Sequence, residues 1–114
     1  MGRFVYETAG GGAHPVEDRL LAHLELAIAA KFRRDESFAF TLGPAELPAG
    51  EGRRTFWMHP SLPIQFVYDR GRDAAALNRA WVEALVVAAS TEAGLRVVPE
   101  PTPDQDPSPK PLLG

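Results

Sequence analysis

Residues 54–69 read RTFWMHPSLPIQFVYD, from Arg54 to Asp69. On either side of a centre bracketed by Pro60 and Pro63, bulky side chains alternate. In an extended chain Phe56 and Met58 fall on one face and Trp57 on the other, while Ile64, Phe66 and Tyr68 share a face after Pro63. A period of two in aromatic and β-branched residues predicts two strands. Upstream, SFAFTL (37–42) repeats the pattern with Phe38, Phe40 and Leu42, and the loop GPAELPAGEGRR separates it from the next strand. Three successive short strands with nothing helical between them predict an antiparallel meander with one face on the core.

Helical periodicity flanks this block. Leu20, Leu21, Leu24, Ile28 and Phe32 fall within about 120° at 100° per residue, which predicts an amphipathic helix from Glu17 or Asp18 to about Arg34. Lys31, Arg33 and Arg34 stand at its end, where cations complement the helix dipole. A second helix is predicted from about Ala74 to Ala93, closed by Gly94. Leu77, Trp81, Ala84, Leu85 and Ala88 form its inward stripe, and Val82, Val86, Ala89 and Ala93 a second apolar stripe beside it. So wide an apolar surface predicts burial on two sides, against the sheet and against either the first helix or another subunit.

The ends complete the plan. Phe4-Val5-Tyr6 opens as a short strand, TAGGGAHP predicts a mobile loop, and LRVV adds a last strand. From Pro99 to Pro111 there are six prolines, so residues 99–114 are expected to be a disordered or polyproline-II tail behind a domain of residues 1–98. The expected fold is α+β, in the order β-α-β-β-β-α-β, with the meander packed on two helices.

A chain of 114 residues has room for one domain, and its small core leaves a modest margin of stability that dimerisation would supplement. The absence of cysteine excludes disulfides, thiolate zinc sites and a cysteine nucleophile. No apolar run approaches the roughly 20 residues of a membrane span, and MGRFVYET lacks a signal-peptide core, so a cytoplasmic location is expected. The net charge is −3, most of it in the proline-rich tail through Glu100, Asp104 and Asp106. A nearly balanced domain exerts no overall pull on a phosphate backbone, so any basic surface must be local.

Four groups of residues invite a functional reading. His59 and Ser61 could form the base and nucleophile of a small hydrolase, although no Gly-x-Ser-x-Gly elbow surrounds them; a proline-stiffened turn explains the same residues. The basic pairs Arg33-Arg34 and Arg53-Arg54, with Trp57 near them, could hold phosphates and stack bases, and Arg70-Gly71-Arg72 is a third basic cluster. Asn78, Arg79 and Trp81 could line a ligand pocket with Trp57, His59 and Ser61, or else fasten the second helix to the core. His14, His23 and His59 lack the His-x-x-x-His spacing of a helical metal site, so neither metal nor cofactor is expected.

Several stretches also carry a resemblance. MGRFVY (1–6), EDRLLAHLELAI (17–28), KFRRDESFAF (31–40), GRRTFWMHPSLPIQFVYD (52–69), and LNRAWVEALVVAAS (77–90) with GLRVVPEP (94–101) resemble an uncharacterised family of short actinobacterial proteins often labelled ATP-dependent DNA ligase. The stretch Thr8–His14 and the tail beyond Pro101 depart from that pattern. The resemblance implies no catalytic residues. The label implies a lysine nucleophile in a Lys-x-Asp-Gly setting, yet the only lysines are Lys31, followed by Phe32-Arg33-Arg34, and Lys110 in the tail. No Gly-x-x-x-x-Gly-Lys loop for ATP phosphates is present either. The expectation is therefore a non-enzymatic binding or interaction module, homodimeric through Val82, Val86, Ala89 and Ala93. A nucleic-acid-binding or ligase-associated accessory protein and a small hydrolase are the alternatives.

Overall fold

The computed structural model describes residues 1–7, 12–69 and 76–102. The chain forms β1 (Gly2–Tyr6), β2 (Ala13–Val16), α1 (Asp18–Arg33), β3 (Phe38–Leu42), β4 (Arg54–Met58), β5 (Ile64–Val67), α2 (Arg79–Ala89) and β6 (Leu95–Arg96). The class is α+β: two helices and two three-stranded sheets, ordered β2-β1-β5 and β4-β3-β6. Thr8–Gly11 of the expected loop, Arg70–Ala75 with its basic cluster and the expected start of the second helix, and residues 103–114 of the expected tail lie outside the described residues.

The predicted strands form, but they do not make one meander. β3 and β4 pair antiparallel, with Phe40 opposite Phe56 and Ala39 opposite Trp57. β5 instead crosses to the other sheet and pairs antiparallel with β1, setting Phe66 opposite Phe4. The intervening segment explains the switch. His59–Leu62 closes a turn in which the Leu62 amide donates to the His59 carbonyl at 3.0 Å, and Pro60 and Pro63 remove two donors that a ladder back onto β4 would need. β6 returns by way of α2 and therefore lies parallel to β3.

An additional strand, β2, occupies Ala13–Val16, where the glycine run and Pro15 suggested only loop. It pairs antiparallel with β1, and its His14 and Val16 face inward while Ala13 and Pro15 are exposed. Pro15 is tolerated because β2 is an edge strand.

The sheets meet through aromatic rings. Phe4 of β1 packs edge-on against Phe40 and against Phe56, each at 5.3 Å between centroids, and also touches Phe66 at 5.7 Å. Leu21, Leu24 and Ile28 of α1 and Leu85 of α2 are fully enclosed in the same core. α1 lies on β1, α2 lies on β6 and β3, and the helices pack on each other. They run parallel: Arg19 bonds the Ala76 carbonyl just before α2, while Lys31 donates to Ser90 Oγ at its end.

α2 is shorter at both ends than its periodicity suggests. Asn78 takes the N-cap, its Oδ1 accepting from the Ala80 and Trp81 amides, so Leu77 lies outside the helix. At the other end Ser90 Oγ and Thr91 Oγ1 donate back to the Val86 and Ala88 carbonyls. Gly94 closes the following turn at φ +80°, where an added Cβ would lie 2.5 Å from the Ala39 carbonyl oxygen.

Phe4→Ala should cost about 3–5 kcal/mol, the usual range for a buried phenylalanine. That is much of the 5–15 kcal/mol typical of a domain, so the urea unfolding midpoint should fall sharply. A near-wild-type midpoint would show that the sheets hold together by other means.

Candidate functional site

The residues singled out in the sequence separate into two regions. Trp57, His59 and Ser61 lie on and just after β4, whereas Asn78 and Arg79 begin α2. They do not converge on one pocket.

His59 and Ser61 meet each other on an exposed turn. Ser61 Oγ lies 2.7 Å from His59 Nδ1, and the Ser61 amide donates to the same nitrogen at 3.2 Å, which makes Nδ1 the acceptor. Among the described residues no carboxylate orients the other ring nitrogen. The pair thus closes the turn already formed by the Leu62 amide and the His59 carbonyl. His14 packs against Phe56 at 4.8 Å and His23 is fully buried in α1. No group of three His, Asp or Glu among the described residues could hold a metal ion. No helix among them is long and apolar enough to cross a membrane.

Asn78 is a junction. Its amide nitrogen Nδ2 donates to Glu100 at 3.0 Å and to the Pro101 carbonyl at 2.9 Å, while its backbone N–H donates to His23 Nε2 at 2.8 Å. His23 Nε2 therefore accepts, and Nδ1 carries the proton that goes to the Arg19 carbonyl at 2.7 Å. The His23 ring rests on Trp81 at 4.6 Å, and the Trp81 indole N–H donates to the Val98 carbonyl. Arg19 completes the cluster by forking onto both oxygens of Glu100. An open cleft of about 670 Å³ lies here, bordered by Arg19, Asn78, Arg79 and Glu100. Arg79 aside, its converging polar groups answer one another, so the cluster fastens α1, α2 and the chain after β6. Sequence reasoning missed Arg19 and Glu100 because the first sat on a helix flank and the second in the expected tail. Glu100 and Pro101 are in fact docked on the domain.

The second apolar stripe of α2 is used in part within the chain: Ala89 is in the core, Val86 packs partly against it, Val82 is half-buried, and Ala93 is exposed beyond the helix. The large apolar side chains of α2 and its approach that stay bare are Val87 and Leu77. Lys31 is also buried, bonded to Ser90 Oγ at 2.9 Å and ion-paired with Glu36 at 3.2 Å. It is a pin between the helix ends.

The outer face of the β4-β3-β6 sheet is different in character. Phe56 and Met58 point into the core, so alternation turns Thr55 and Trp57 outward, and Trp57 is 65 % exposed; Arg53, just before β4, borders a hollow with Thr41 and Arg96. The register sets Ala39 beside Trp57, and Gly94 lies against Ala39. The indole thus stands beside a low, flat shelf of small residues. In the next row, Thr55 and Thr41 share a hydroxyl hydrogen bond of 2.9 Å, and Arg96 lies beyond Thr41. Of the other basic residues, Arg54 is ion-paired with Glu51 at the start of β4, and Arg33 and Arg34 are exposed at the end of α1.

Hydrogen bonds from Arg19 and then Asn78 hold the Glu100 carboxyl well below the ordinary value of 4.5, at about 2, against the opposing effect of burial. A depressed carboxylate contributes stability above its ordinary pKa and loses it as pH falls towards the folded value. Glu100→Gln should therefore lower the thermal midpoint at neutral pH, and the gap from wild type should close between about pH 4.5 and pH 2. A gap that does not change with pH would show that the carboxylate charge is not what holds the segment.

A protein-family model described as Domain of unknown function (DUF7882) matches residues 1–100. No curated protein and no solved structure matches the chain. The matched residues take in all six strands, both helices, the outer face around Trp57 and the docked Glu100, and the chain is a member of the DUF7882 family.

Proposed function

We propose that this domain is a non-enzymatic binding module whose contact surface is the outer face of the β4-β3-β6 sheet, and that its ligand is single-stranded nucleic acid. The observation that carries this reading is Trp57, two-thirds bare on a strand whose alternate side chains are in the core, with Arg53 just before that strand beside Thr41 and Arg96. A large apolar ring left in water contributes nothing to folding there, whereas a base stacked on it would remove apolar area from both partners. The flat surroundings formed by Ala39 and Gly94 give a base room to lie against the indole.

Charge supports the same reading locally. The chain is net negative, yet Arg53 and Arg96 border one hollow beside Thr41 on this face, and neither is ion-paired among the described residues. The attraction is therefore short-ranged and screened by salt. The buried Lys31 and the turn-closing His59–Ser61 pair have no part in it. No homodimer is needed for it; of the stripe expected to form one, Ala89 lies in the chain's own core and Val86 packs partly against it.

Oligo-dT titrated at low salt should quench the Trp57 fluorescence. Trp57→Ala should weaken binding roughly tenfold, since stacking on an aromatic side chain is worth about 1–3 kcal/mol per base. The thermal midpoint should hardly change, because the indole is exposed. Absence of binding by the wild type at low salt would overturn the reading.

A further inference from the structure

We infer that the depression between Arg53 and Arg96 is a seat for a phosphodiester of the bound strand, an inference that rests on the outer sheet face being the nucleic-acid surface. The depression has a volume of about 240 Å³ and is bounded by Thr41, Arg53, Arg96 and Val97, with the Gly43–Pro44 turn and Glu46 on its rim. Its floor is fixed by the ladder. Thr41 lies between Thr55 and Arg96 in register, is buried, and shares its hydroxyl with Thr55.

Two guanidinium groups border this one hollow, and among the described residues neither has an acidic partner. Elsewhere in the molecule Arg19, Arg54 and Arg3 each have a carboxylate within 4 Å. Like charges on either side of a small hollow repel, and an anion between them removes the repulsion. A guanidinium presents a planar fork of donors that suits two phosphate oxygens at once, so two forks facing one group would clamp it and set its orientation.

The single acid on the rim refines the ligand. Glu46 turns one carboxylate oxygen to the Gly43 amide at 2.7 Å, which anchors the turn but leaves its charge beside the hollow. Two cations and one anion give the seat a net charge of +1. That matches the single charge of a phosphodiester better than the double charge of a free phosphate or a phosphate monoester. Arg53 immediately precedes β4 and Trp57 lies four residues further on, about 13 Å along an extended chain, so the seat and the stacking ring engage separate parts of one bound strand.

The experiment is a salt series of oligo-dT binding to the full chain and three variants. Arg96→Ala should weaken binding several-fold and lower the slope of log affinity against log salt by about 0.7, the contribution of one phosphate on a single strand. Glu46→Gln keeps an oxygen for the Gly43 amide but removes the charge, and should tighten binding. Should Arg96→Ala misfold, Arg53→Ala on the opposite wall gives the same readout. Inorganic phosphate at matched ionic strength should not displace the oligonucleotide; displacement would assign the hollow to free phosphate and overturn the diester. Unchanged affinity and slope in the folded arginine variants, with Trp57→Ala still weakened, would overturn the seat and leave the surface standing. No binding by the wild type would remove the surface itself.

Discussion

The contact of Phe4 with Phe40 and Phe56 is the constraint on which the rest of this structure depends. Each sheet has three strands and is too small to enclose a core by itself. Phe4 is the centre of its sheet, flanked by β2 and β5, and its ring meets the two facing phenylalanines of the second sheet edge-on, a favourable arrangement of their quadrupoles. Because those rings are drawn inward, the residues alternating with them must point out. The exposure of Trp57 is thus a direct result of where Phe56 and Met58 are buried.

Helix polarity explains the second fastening. α1 and α2 run parallel, so their N-terminal partial positive charges lie side by side and so do their C-terminal negative ones. Lys31 lies where both helices end and complements the two negative poles. At the other end Arg19 is a cation among positive poles, an arrangement that calls for an anion. Glu100 supplies it from a segment far away in sequence, and the same surroundings explain why its carboxyl stays ionised in acid. His23 joins the pair from within, fixed by the Arg19 carbonyl on one ring nitrogen and the Asn78 amide on the other.

Much of this was legible in the sequence, and the remainder was hidden for physical reasons. Alternation in SFAFTL, RTFWMH and PIQFVYD located three strands and assigned Trp57 to the face opposite Phe56, and apolar periodicity located both helices. Strand pairing is non-local, however, and no pattern within β5 says whether β4 or β1 receives it. The prolines around Ser61 were read as a stiff turn, which they form, but their loss of donors also redirects the chain between sheets. β2 was masked by a glycine run and by Pro15, which only an edge position accommodates. The stripe Val82, Val86, Ala89, Ala93 has the composition of an interface, and only the tertiary packing shows that Ala89 belongs to the chain's own core. Glu100 looked like tail because proline surrounds it, yet those prolines leave carbonyls free, and Asn78 binds one of them. For the candidate surface, Arg53 and Trp57 were singled out, but Arg96 was not, because its place beside Thr41 depends on a parallel pairing across the whole chain.

The docking of Glu100 also bears on when this chain can fold during synthesis. The Arg19 fork, the cap donor of Asn78 and the acceptor for the Trp81 indole are all answered by residues between Val98 and Pro101. On a ribosome that segment emerges last among the groups that fasten α2, and β6, which closes the second sheet, comes only just before it. α1 and the β3–β4 hairpin can assemble early from contacts close in sequence, while α2 waits for the chain behind it. Emergence of Val98–Pro101 is thus the event that lets α2 be fastened, and until then its cap residue and the Trp81 indole lack the partners they find in the folded domain.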